Sequence, residues 1–283
     1  MTPAGRDPRV SRPGAAMKAP LVIKLGGRAL EGPGARHELA TAIAALEEPA
    51  VVVHGGGAEV SDWCLRLGLT PRFLDGLRVT DPPTLEVAVA VLAGLANKRL
   101  VAALRAAGVD AVGLSAIDGG IAAAELHPEA ERLGEVGRVR AVAPALLETL
   151  LGRGHLPVLA SIAAVAGRLL NVNADDFAAA LAGALQARAL VLLSDTPGVR
   201  LAGATVARLA GAELEDALAH PEVQGGMRPK LEAARQALAA GVARVHIAAW
   251  EGPGTLRALL AHDDAAAPGT TITRGAIAEL AHG

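Results

Sequence analysis

Short runs of apolar residues alternate with longer amphipathic segments along most of the chain. Apolar runs of this length are typical of buried strands, whereas apolar residues that recur at three- and four-residue intervals indicate helices. The predicted strands span residues 21–25, 51–54, 111–114, 156–160, 190–194 and 244–248. The predicted helices lie near residues 37–47, 58–67, 83–107, 144–153, 175–187, 226–241 and 254–262. This alternation predicts an α/β fold in which helices cover both faces of a parallel sheet.

Three regions depart from the alternation. Residues 119–142 combine glycine pairs, charges and an alternating Val-Gly-Arg-Val-Arg segment, which predicts a polar hairpin or flap. The region around Gly167 indicates a link between two halves. The predicted helix at 84–107 contains the segment VAVAVLAGLA, which is apolar on all sides. Such a helix is central to one domain or contacts a partner chain.

Composition narrows the possible classes of function. The net charge of −2 gives no basic footprint, so no nucleic-acid partner is expected. The single cysteine, Cys64, rules out a disulfide within one chain and fits a reducing cytoplasm. The longest uncharged run, residues 154–167, is too short to span a bilayer, so no membrane partner is expected. Residues 1–19 predict a disordered tail without the apolar segment of a secretory signal.

Lysine and asparagine are unusually rare in this chain. Of 27 basic residues only four are lysine, namely Lys18, Lys24, Lys98 and Lys230. The asparagines are Asn97, Asn171 and Asn173. An ammonium is a compact point charge and a guanidinium is a wide planar fork, so the two are not equivalent. A lysine in a chain that otherwise uses arginine is therefore a candidate for a role that requires lysine.

Four segments that end or follow predicted strands combine glycines with polar side chains. They are VIKLGGR (22–28), the HGGG that ends VVVHGGG (51–57), NVNAD (171–175) and GGMRPK (225–230). Glycine backbone at strand ends exposes N–H groups, and helix N-termini add positive potential, so such segments bind anions. Together with Lys24 and Lys230 they favour a site for a polyphosphate and a second anion. The common phosphate-loop, dinucleotide and nucleophile-elbow motifs are absent from the sequence.

Each segment alone also has a structural interpretation. Gly26 and Gly27 could form a turn, Asn171 and Asp175 a loop and a helix cap, and Lys230 a solvated helix position. His54 is expected to be a hydrogen-bonded residue at a strand end, because no second His or Cys stands at metal-ligand spacing. No metal site is therefore predicted. The joint pattern favours function, because two of the four lysines and two of the three asparagines fall in these segments.

Six segments in order resemble the amino acid kinase family. They are VIKLGGR, VVVHGGG, GLRVTD (76–81), NVNAD, LLSDTPGV (192–199) and GGMRPK, which together with the flanking sequence extend over about residues 20–273. GLRVTD and NVNAD are similar to the branch that acts on N-acetyl-L-glutamate. The resemblance implies a three-layer αβα sandwich with a central, mainly parallel sheet. It also implies an acceptor-binding half at 20–166 and an ATP-binding half at 167–283.

The resemblance also implies roles for individual residues. Lys24 and Lys230 would stabilise the transferring phosphoryl group, and Asp175 would organise the two lysines. The implied N-acetylglutamate-binding residues are Gly56, Gly57, Arg78 and Asn171. The implied nucleotide-binding residues are Lys24, Gly26, Gly27, Asp195, Thr196, Pro197, Gly198, Val199, Val223, Gln224 and Lys230. The departures from the family pattern are a short segment at 200–206 and an Ala-rich region near 263–269.

The implied activity is phosphorylation of the side-chain carboxylate of N-acetyl-L-glutamate by ATP with Mg²⁺, in cytoplasmic arginine biosynthesis. Two alternatives stay open. One is a kinase of the same fold that acts on aminoadipate or glutamate carried by a protein, for which Arg132, Arg138 and Arg140 would supply basic contacts. The other is a non-catalytic amino-acid-sensing module, which could keep the pocket and lose the phosphoryl-transfer lysines.

The resemblance further implies a dimer as the basic unit, and the apolar helix at 84–107 is its expected interface. Arginine-inhibited members of the family add an N-terminal amphipathic helix that links dimers into a hexamer. The residues before Pro20 contain several prolines and cannot form an apolar stripe. A homodimer with weak or no inhibition by arginine is therefore expected.

Overall fold

The computed structural model describes residues 18–26, 32–261 and 267–275. Nearly all of the expected tail at 1–19 lies outside the described residues, and so does part of the Ala-rich region near 263–269. Gly27, a predicted nucleotide-binding residue, also lies outside them.

The described chain consists of alternating strands and helices. The strands are β1 (Leu21–Leu25), β2 (Ala50–His54), β3 (Arg72–Leu74), β4 (Leu77–Val79), β5 (Ala111–Ser115), β6 (Ala122–Leu126), β7 (Val136–Val142), β8 (Leu156–Ala160), β9 (Ile162–Val165), β10 (Arg168–Val172), β11 (Ala189–Ser194), β12 (Arg200–Leu201), β13 (Ala204–Thr205), β14 (Arg208–Ala210), β15 (Arg244–Ala249) and β16 (Thr270–Thr273). The helices are α1 (Gly32–Ala44), α2 (Gly57–Arg66), α3 (Pro82–Val89), α4 (Asn97–Ala106), α5 (Ala130–Leu133), α6 (Ala145–Gly152), α7 (Ala174–Ala184), α8 (Ala212–Ala219), α9 (Met227–Ala239) and α10 (Gly254–Leu260).

The central sheet has eight strands in the order β14-β16-β15-β11-β1-β2-β8-β5. All neighbouring strands are parallel except β15 and β16. The six strands predicted from the apolar runs form the contiguous block from β15 to β5, so the predicted parallel sheet is confirmed. The sheet is mainly parallel because its unbroken apolar strands are joined by helical crossovers.

A second sheet of four strands, β6-β7-β10-β9, lies beside the first. The predicted hairpin at 119–142 is observed as the antiparallel pair β6 and β7. This hairpin is less polar than predicted, because Ile121, Leu133 and Val136 are buried. Gly167 lies in the tight turn between β9 and β10, where its φ of 82° suits glycine. After this turn, β10 places Asn171 beside Lys24, Gly56 and Gly57, at the edge of the central sheet that carries the other site segments.

Helices cover both faces of the central sheet, as the three-layer architecture requires. Along β1, Leu21, Ile23 and Leu25 point into one buried cluster, which includes residues of α1, α4 and α10. Val22 points to the opposite face, where residues of α7, α8 and α9 form the larger cluster around Phe177. Because side chains alternate along a strand, Lys24 shares the face of Val22 and points toward α7.

One helix runs without interruption from Pro82 to Ala106, because a π-helical segment, Ala90–Ala96, joins α3 to α4. Its length and apolar composition would also suit a membrane span. In the fold, however, Leu100 and Leu104 are buried against the central sheet. The predicted apolar helix at 84–107 is therefore a core helix on one side, and part of its remaining surface is apolar and only partly covered.

Candidate active site

Three charged side chains from distant parts of the sequence meet at the carboxyl edge of the central sheet. Lys24 Nζ lies 2.8 Å from Asp175 Oδ1, and Lys230 Nζ lies 3.1 Å from Asp175 Oδ2. All three residues are at most 8% exposed. Each oxygen of one carboxylate therefore holds one ammonium group, and the two cations are kept close together by a single anion.

Local structure explains why these residues converge. Lys24 is the fourth residue of the central strand β1, so its side chain leaves the sheet close to the strand's carboxyl end. Asp175 and Lys230 lie in the first turns of α7 and α9. Asn173 caps α7, because its Oδ1 accepts hydrogen bonds from the Asp175 and Asp176 backbone N–H groups. Two helix N-termini thus point their positive ends toward the same region.

Burial and mutual charge set the protonation of this cluster. Burial would raise the pKa of the Asp175 carboxyl, but Lys24 and Lys230 outweigh burial and hold that pKa below its ordinary value. Burial lowers the pKa of the Lys24 ammonium, and Asp175 partly opposes the effect. Burial, together with Asp175 and Glu232, raises the pKa of Asp176 to about 7. Asp175 is therefore the ionised partner of the lysines near neutral pH.

Gly26 is required by the path of the Lys24 side chain. A Cβ atom at position 26 would lie 2.6 Å from Lys24 Nζ and 3.4 Å from the Leu193 carbonyl oxygen. The Gly26 N–H also donates to that carbonyl at 2.9 Å, which ties the segment to β11. A side chain at this position would displace the ammonium group from Asp175.

A cavity of about 230 Å³ opens on one side of the cluster. Lys24 and Asp175 line it, together with Gly56, Gly57, Arg78 and Asn171. All the predicted acceptor-binding residues therefore surround one cavity, although they come from α2, β4, β10 and the loop before α2. This cavity is the candidate acceptor site.

Arg78 is the principal cation of the acceptor cavity apart from the lysine. Its Nη2 donates to the Gly57 carbonyl at 2.6 Å and to Ser61 Oγ at 2.8 Å, and its guanidinium lies 4.7 Å from the centre of the Phe73 ring. Its Nη1 is buried and has no hydrogen-bond partner among the described residues. A buried donor of this kind needs an acceptor, and a ligand carboxylate would supply one.

Asn171 is oriented by a buried hydroxyl. Its Nδ2 donates to Thr80 Oγ1 at 3.1 Å, and Thr80 Oγ1 in turn donates to the Arg78 carbonyl at 2.9 Å. This chain links β10 to the hairpin of β3 and β4, so the two acceptor-binding segments are held in register.

A second cavity, of about 390 Å³, lies on the other side of the cluster. Lys230 lines it together with the predicted residues Asp195, Thr196, Gly198 and Gln224. Ser194, Arg200, Glu222, Gly226 and Met227 complete its walls. A volume of this size suits a nucleotide-sized ligand. The three-residue ion cluster thus lies at the junction of two cavities.

Thr270 fixes the segment that forms one wall of the larger cavity. Its Oγ1 accepts the Val199 N–H at 2.8 Å and donates to the Val206 carbonyl at 2.6 Å. A Cβ at Gly198 would lie 2.8 Å from this hydroxyl, so the segment can pass only as glycine. The short 200–206 segment is thereby held as the hairpin of β12 and β13.

The sequence profile of the amino acid kinase family matches residues 19–249. The matched region contains β1, both helix N-termini of the cluster and all the residues that line the two cavities. The chain belongs to the amino acid kinase family. The predicted three-layer α/β fold of this family is accordingly confirmed.

Several acetylglutamate kinases are similar to this chain in sequence. The enzyme of Methanopyrus kandleri is 46% identical over 241 residues, which are 82% of this chain and 95% of that protein. The enzyme of Koribacter versatilis is 44% identical and covers 80% of this chain and 89% of its own length. The enzyme of Chloroflexus aurantiacus is 42% identical over 91% of this chain and 98% of its own.

Solved structures give the same family fold. The N-acetylglutamate synthase of Neisseria gonorrhoeae, complexed with coenzyme A and N-acetyl-glutamate, matches with a TM-score of 0.79 at 28% identity over 92% of this chain. The match covers 60% of the synthase chain. The carbamate kinase of Giardia lamblia matches with a TM-score of 0.64 at 16% identity, which reflects the fold alone.

Some of the residues predicted to bind the nucleotide line the larger cavity, and others do not. Val199 and Val223 are buried in the core, and their backbone N–H groups donate to Thr270 Oγ1 and to the His220 carbonyl. Pro197 is exposed beside the larger cavity. Ser61, Phe73 and Thr270 orient or pack against site residues but were not predicted from the sequence. Single hydroxyl or aromatic residues carry no spacing signal, although Phe73 is one of only two phenylalanines.

Replacing Asp175 by Asn should destabilise the fold in a pH-dependent way. Breaking a buried ion pair by removing one partner costs about 3–5 kcal/mol. The pKa of Lys24, already below its ordinary 10.5, would fall further without the carboxylate. The unfolded chain then binds the Lys24 proton more readily than the folded chain near pH 7, and stability rises with pH. In urea unfolding, the difference in the free energy of unfolding between wild type and Asp175→Asn should therefore become smaller as the pH rises toward about 10.

Asp110→Asn is the matched control for this measurement. Asp110 is half exposed and pairs with Arg105 at 2.7 Å and with His155 Nδ1 at 2.8 Å. Its loss should cost at most about 1 kcal/mol, because water screens exposed pairs. A gap for Asp175→Asn that is as small as that of the control, or that stays constant with pH, would contradict the role assigned to the buried cluster.

Proposed function

We propose that this chain transfers the γ-phosphoryl group of ATP to the side-chain carboxylate of N-acetyl-L-glutamate. The product is N-acetyl-L-glutamyl 5-phosphate, an acyl phosphate of arginine biosynthesis. The observation that carries the proposal is the position of the Lys24–Asp175–Lys230 cluster between two cavities. The similarity to three acetylglutamate kinases along most of their length supports the choice of acceptor.

The reaction needs charge neutralisation rather than a general base. A carboxylate of pKa ~4.3 is already ionised near neutral pH and can attack phosphorus directly. An acceptor oxygen forms a bond to the γ-phosphorus while the bond to the β-phosphate oxygen breaks, and ADP leaves with that electron pair. No proton has to move. The chain's task is to bring two anions into line and to neutralise the phosphoryl oxygens.

Lys24 and Lys230 are assigned this charge neutralisation. Lys24 approaches from the acceptor cavity and Lys230 from the larger cavity, and Asp175 holds both ammonium groups in place. Preorganised donors of this kind each contribute ~3–4 kcal/mol to stabilising the transition state. Because each oxygen of the Asp175 carboxylate faces a lysine ammonium group, Asp175 acts as an organising residue and not as a base.

The acceptor is assigned to the smaller cavity. Arg78 Nη1, which is buried without a partner among the described residues, would bind the α-carboxylate of N-acetyl-L-glutamate. The backbone of Gly56 and Gly57 would contact the reacting end, because glycines leave N–H groups accessible. Asn171, fixed by Thr80, would donate a further hydrogen bond. We accordingly assign acceptor binding mainly to residues 20–166, with Asn171 and Asp175 contributed by the second half.

The nucleotide is assigned to the larger cavity and to residues 167–283. Asp195, Thr196, Gly198, Gln224 and Lys230 would line its path. Val199 and Val223 would support this wall from the buried core. Gly26, the residue after β1, would approach the phosphates. Within residues 18–26, 32–261 and 267–275, no group of three His, Cys, Asp or Glu side chains could hold a metal ion. We therefore assign Mg²⁺ to the nucleotide phosphates, where it would screen their charge.

The carrier-protein alternative receives little support from the basic flap. Arg138 pairs with Glu125 at 2.6 Å, and Arg132 pairs with Glu129 at 2.9 Å. Two of the three arginines considered for an acidic carrier are thus engaged within the flap. The sensor alternative conflicts with the ion cluster, because a module that only binds an amino acid has no need of two buried lysines on one carboxylate.

A coupled ADP-release assay with matched acceptors tests the proposal. Wild-type enzyme with MgATP should turn over N-acetyl-L-glutamate, and much less L-glutamate or L-2-aminoadipate. Hydroxylamine should convert the product to a hydroxamate, because it attacks acyl phosphates. Equal turnover of aminoadipate would favour the carrier-linked alternative. No turnover of any acceptor, with acetylglutamate still bound, would favour the sensor.

Lys230→Arg should fold and bind ATP but lose most turnover. The wide guanidinium fork cannot occupy the place of a buried point charge that is only 8% exposed. A loss of about 100-fold or more in kcat is expected, as for removal of one preorganised donor. Lys18→Arg is the matched control, because Lys18 is exposed. Steady-state kinetics with kcat of Lys230→Arg within about threefold of wild type would remove Lys230 from the mechanism.

Arg78→Lys should raise the KM for N-acetyl-L-glutamate far more than the KM for ATP. The charge is kept, but the two-pronged grip on a carboxylate and the bonds to Gly57 and Ser61 are lost. Arg72→Lys on the same hairpin is the control, because Arg72 is exposed. Equal increases in both KM values would mean that Arg78 has a structural role instead.

We also propose that the enzyme is a cytoplasmic homodimer. The helix Pro82–Ala106 is highly apolar but only partly buried in one chain, and Leu65 and Leu67 at the end of the neighbouring α2 are 61% exposed. Exposed apolar surface of this kind marks interaction sites. The buried, unpaired Cys64 is compatible with a reducing compartment.

Light scattering at micromolar concentration tests the assembly. A mass near twice 28.4 kDa is expected, with no change on addition of L-arginine. The apolar face of the helix should then be covered by the second copy. A mass near 28.4 kDa, or near six times that value, would contradict the proposed dimer.

A further inference from the structure

Asn97 and Lys98 are two of the rare residues that the proposed function does not use. Asn97 is completely buried where the π-helical segment Ala90–Ala96 passes into α4. A buried amide inside a core helix is costly unless its polar atoms are paired. The contacts of Asn97 are therefore informative.

Asn97 connects the helix to the strand that ends in the glycine loop, defined as Gly55–Gly56–Gly57. Its Nδ2 lies 3.0 Å from His54 Nε2 and donates to the Val158 carbonyl at 3.0 Å. The Leu114 carbonyl lies farther from Nδ2, at 3.3 Å, so the two hydrogens of the amide are assigned to the two nearer acceptors. Asn97 Oδ1 accepts from Lys98 Nζ at 3.0 Å. Because the Lys98 ammonium group can only donate, it must face Oδ1, and the Nδ2 end of the amide therefore faces His54.

The hydrogen bonds also define the tautomer of His54. His54 Nδ1 lies 2.9 Å from the Gly55 carbonyl oxygen, which can only accept, so Nδ1 carries the proton. Nε2 is then the acceptor for Asn97. Burial lowers the pKa of His54 to about 4, so the ring is neutral near pH 7. The Asn97 amide, the imidazole and the Gly55 carbonyl form one directed chain.

A glycine lies near each end of this hydrogen-bonded chain, at a position with no room for a side chain. A Cβ at Gly113 of β5 would lie 2.2 Å from Asn97 Oδ1 and 2.8 Å from Lys98 Nζ. A Cβ at Gly56 would lie 2.9 Å from Leu92 Cδ2. The same helix therefore supports the glycine loop directly through Leu92 and indirectly through Asn97 and His54. Widened π-type helical turns of this kind are frequent at functional sites.

We propose that Asn97 is a positioning residue that holds the glycine loop in its reactive geometry through His54, with Lys98 fixing the Asn97 amide. The inference rests on the proposed function, in which the loop's backbone contacts the acceptor and the transferring group. Displacement of such groups by about 1 Å can cost 100-fold in rate. The network touches none of the residues that line the larger cavity, so nucleotide binding is independent of it.

Asn97→Leu keeps the approximate volume and removes the donor to His54. Its kcat should fall about 10- to 100-fold, while the KM for ATP stays within about twofold. Val101→Ala is the matched control, because Val101 lies one turn along the same helix face and packs near Gly113 without a polar contact. That control should keep wild-type kcat. Equal losses in both variants, or a kcat of Asn97→Leu within about threefold of wild type, would overturn the proposal.

A double-mutant cycle tests whether Asn97 acts through His54. The double variant His54→Leu with Asn97→Leu should be no slower than the slower single variant, because both changes break the same chain. Additive losses would overturn the proposed route. If Asn97→Leu does not fold, Gly113→Ala replaces it in the kinetic comparison. A methyl group there would push on Asn97 Oδ1 and Lys98 without touching the loop, and an unchanged kcat would count against the network.

Nitrogen-15 spectra of the His54 ring give a readout that needs no turnover. Wild type and Asn97→Leu should both have a protonated Nδ1, because the Gly55 carbonyl still accepts from it, whereas the resonance of the unprotonated Nε2 should shift in Asn97→Leu because its donor is lost. A wild-type ring protonated at Nε2 would overturn the hydrogen-bond direction on which the inference depends. An inactive wild-type enzyme with the expected tautomer would refute the proposed function instead, so the two failures are distinguishable.

Discussion

The carboxylate of Asp175 is the contact on which the site depends. Two buried ammonium groups would repel each other across the junction of the cavities, and one anion placed between them makes their approach favourable. The requirement fixes three elements relative to one another, because Lys24 belongs to β1, Asp175 to α7 and Lys230 to α9. The remainder of the fold supplies the rigid frame that keeps this geometry.

Small residues make that frame possible. The facing sides of α7 and α9 bury alanines, including Ala178, Ala182 and Ala234, and the two helices pack against each other. At the far end, a Cβ at Gly183 would lie only 2.6 Å from the Cβ of Ala240. Close packing brings both helix N-termini to the same edge of the sheet, where their dipoles add to the positive potential of the lysines. The alanine richness of the chain thus has a structural consequence at the site.

The sequence predicted the six central strands, because unbroken apolar runs carry a strong local signal. The strands β9 and β10 of the second sheet were harder to predict, because they are partly exposed. The edge strands β14 and β16 of the central sheet were also not predicted, because they pair across a long sequence separation. The roles of Lys24, Asp175 and Lys230 came from family resemblance, whereas their contacts came from tertiary packing. Asn97 is conspicuous in the sequence because asparagine is rare in this chain. Its contact with His54, however, depends on the register of a π-helical segment, which no sequence pattern predicts.

A crystal structure with a non-hydrolysable ATP analogue, Mg²⁺ and N-acetyl-L-glutamate would test the central claim most directly. The account predicts that Nζ of Lys24 and Nζ of Lys230 both lie within about 3.2 Å of γ-phosphoryl oxygens while Asp175 still contacts both lysines. The acceptor carboxylate should face the γ-phosphorus from the cavity lined by Arg78. An acceptor bound elsewhere, or either ammonium group separated from the phosphoryl oxygens by a water layer, would contradict the account.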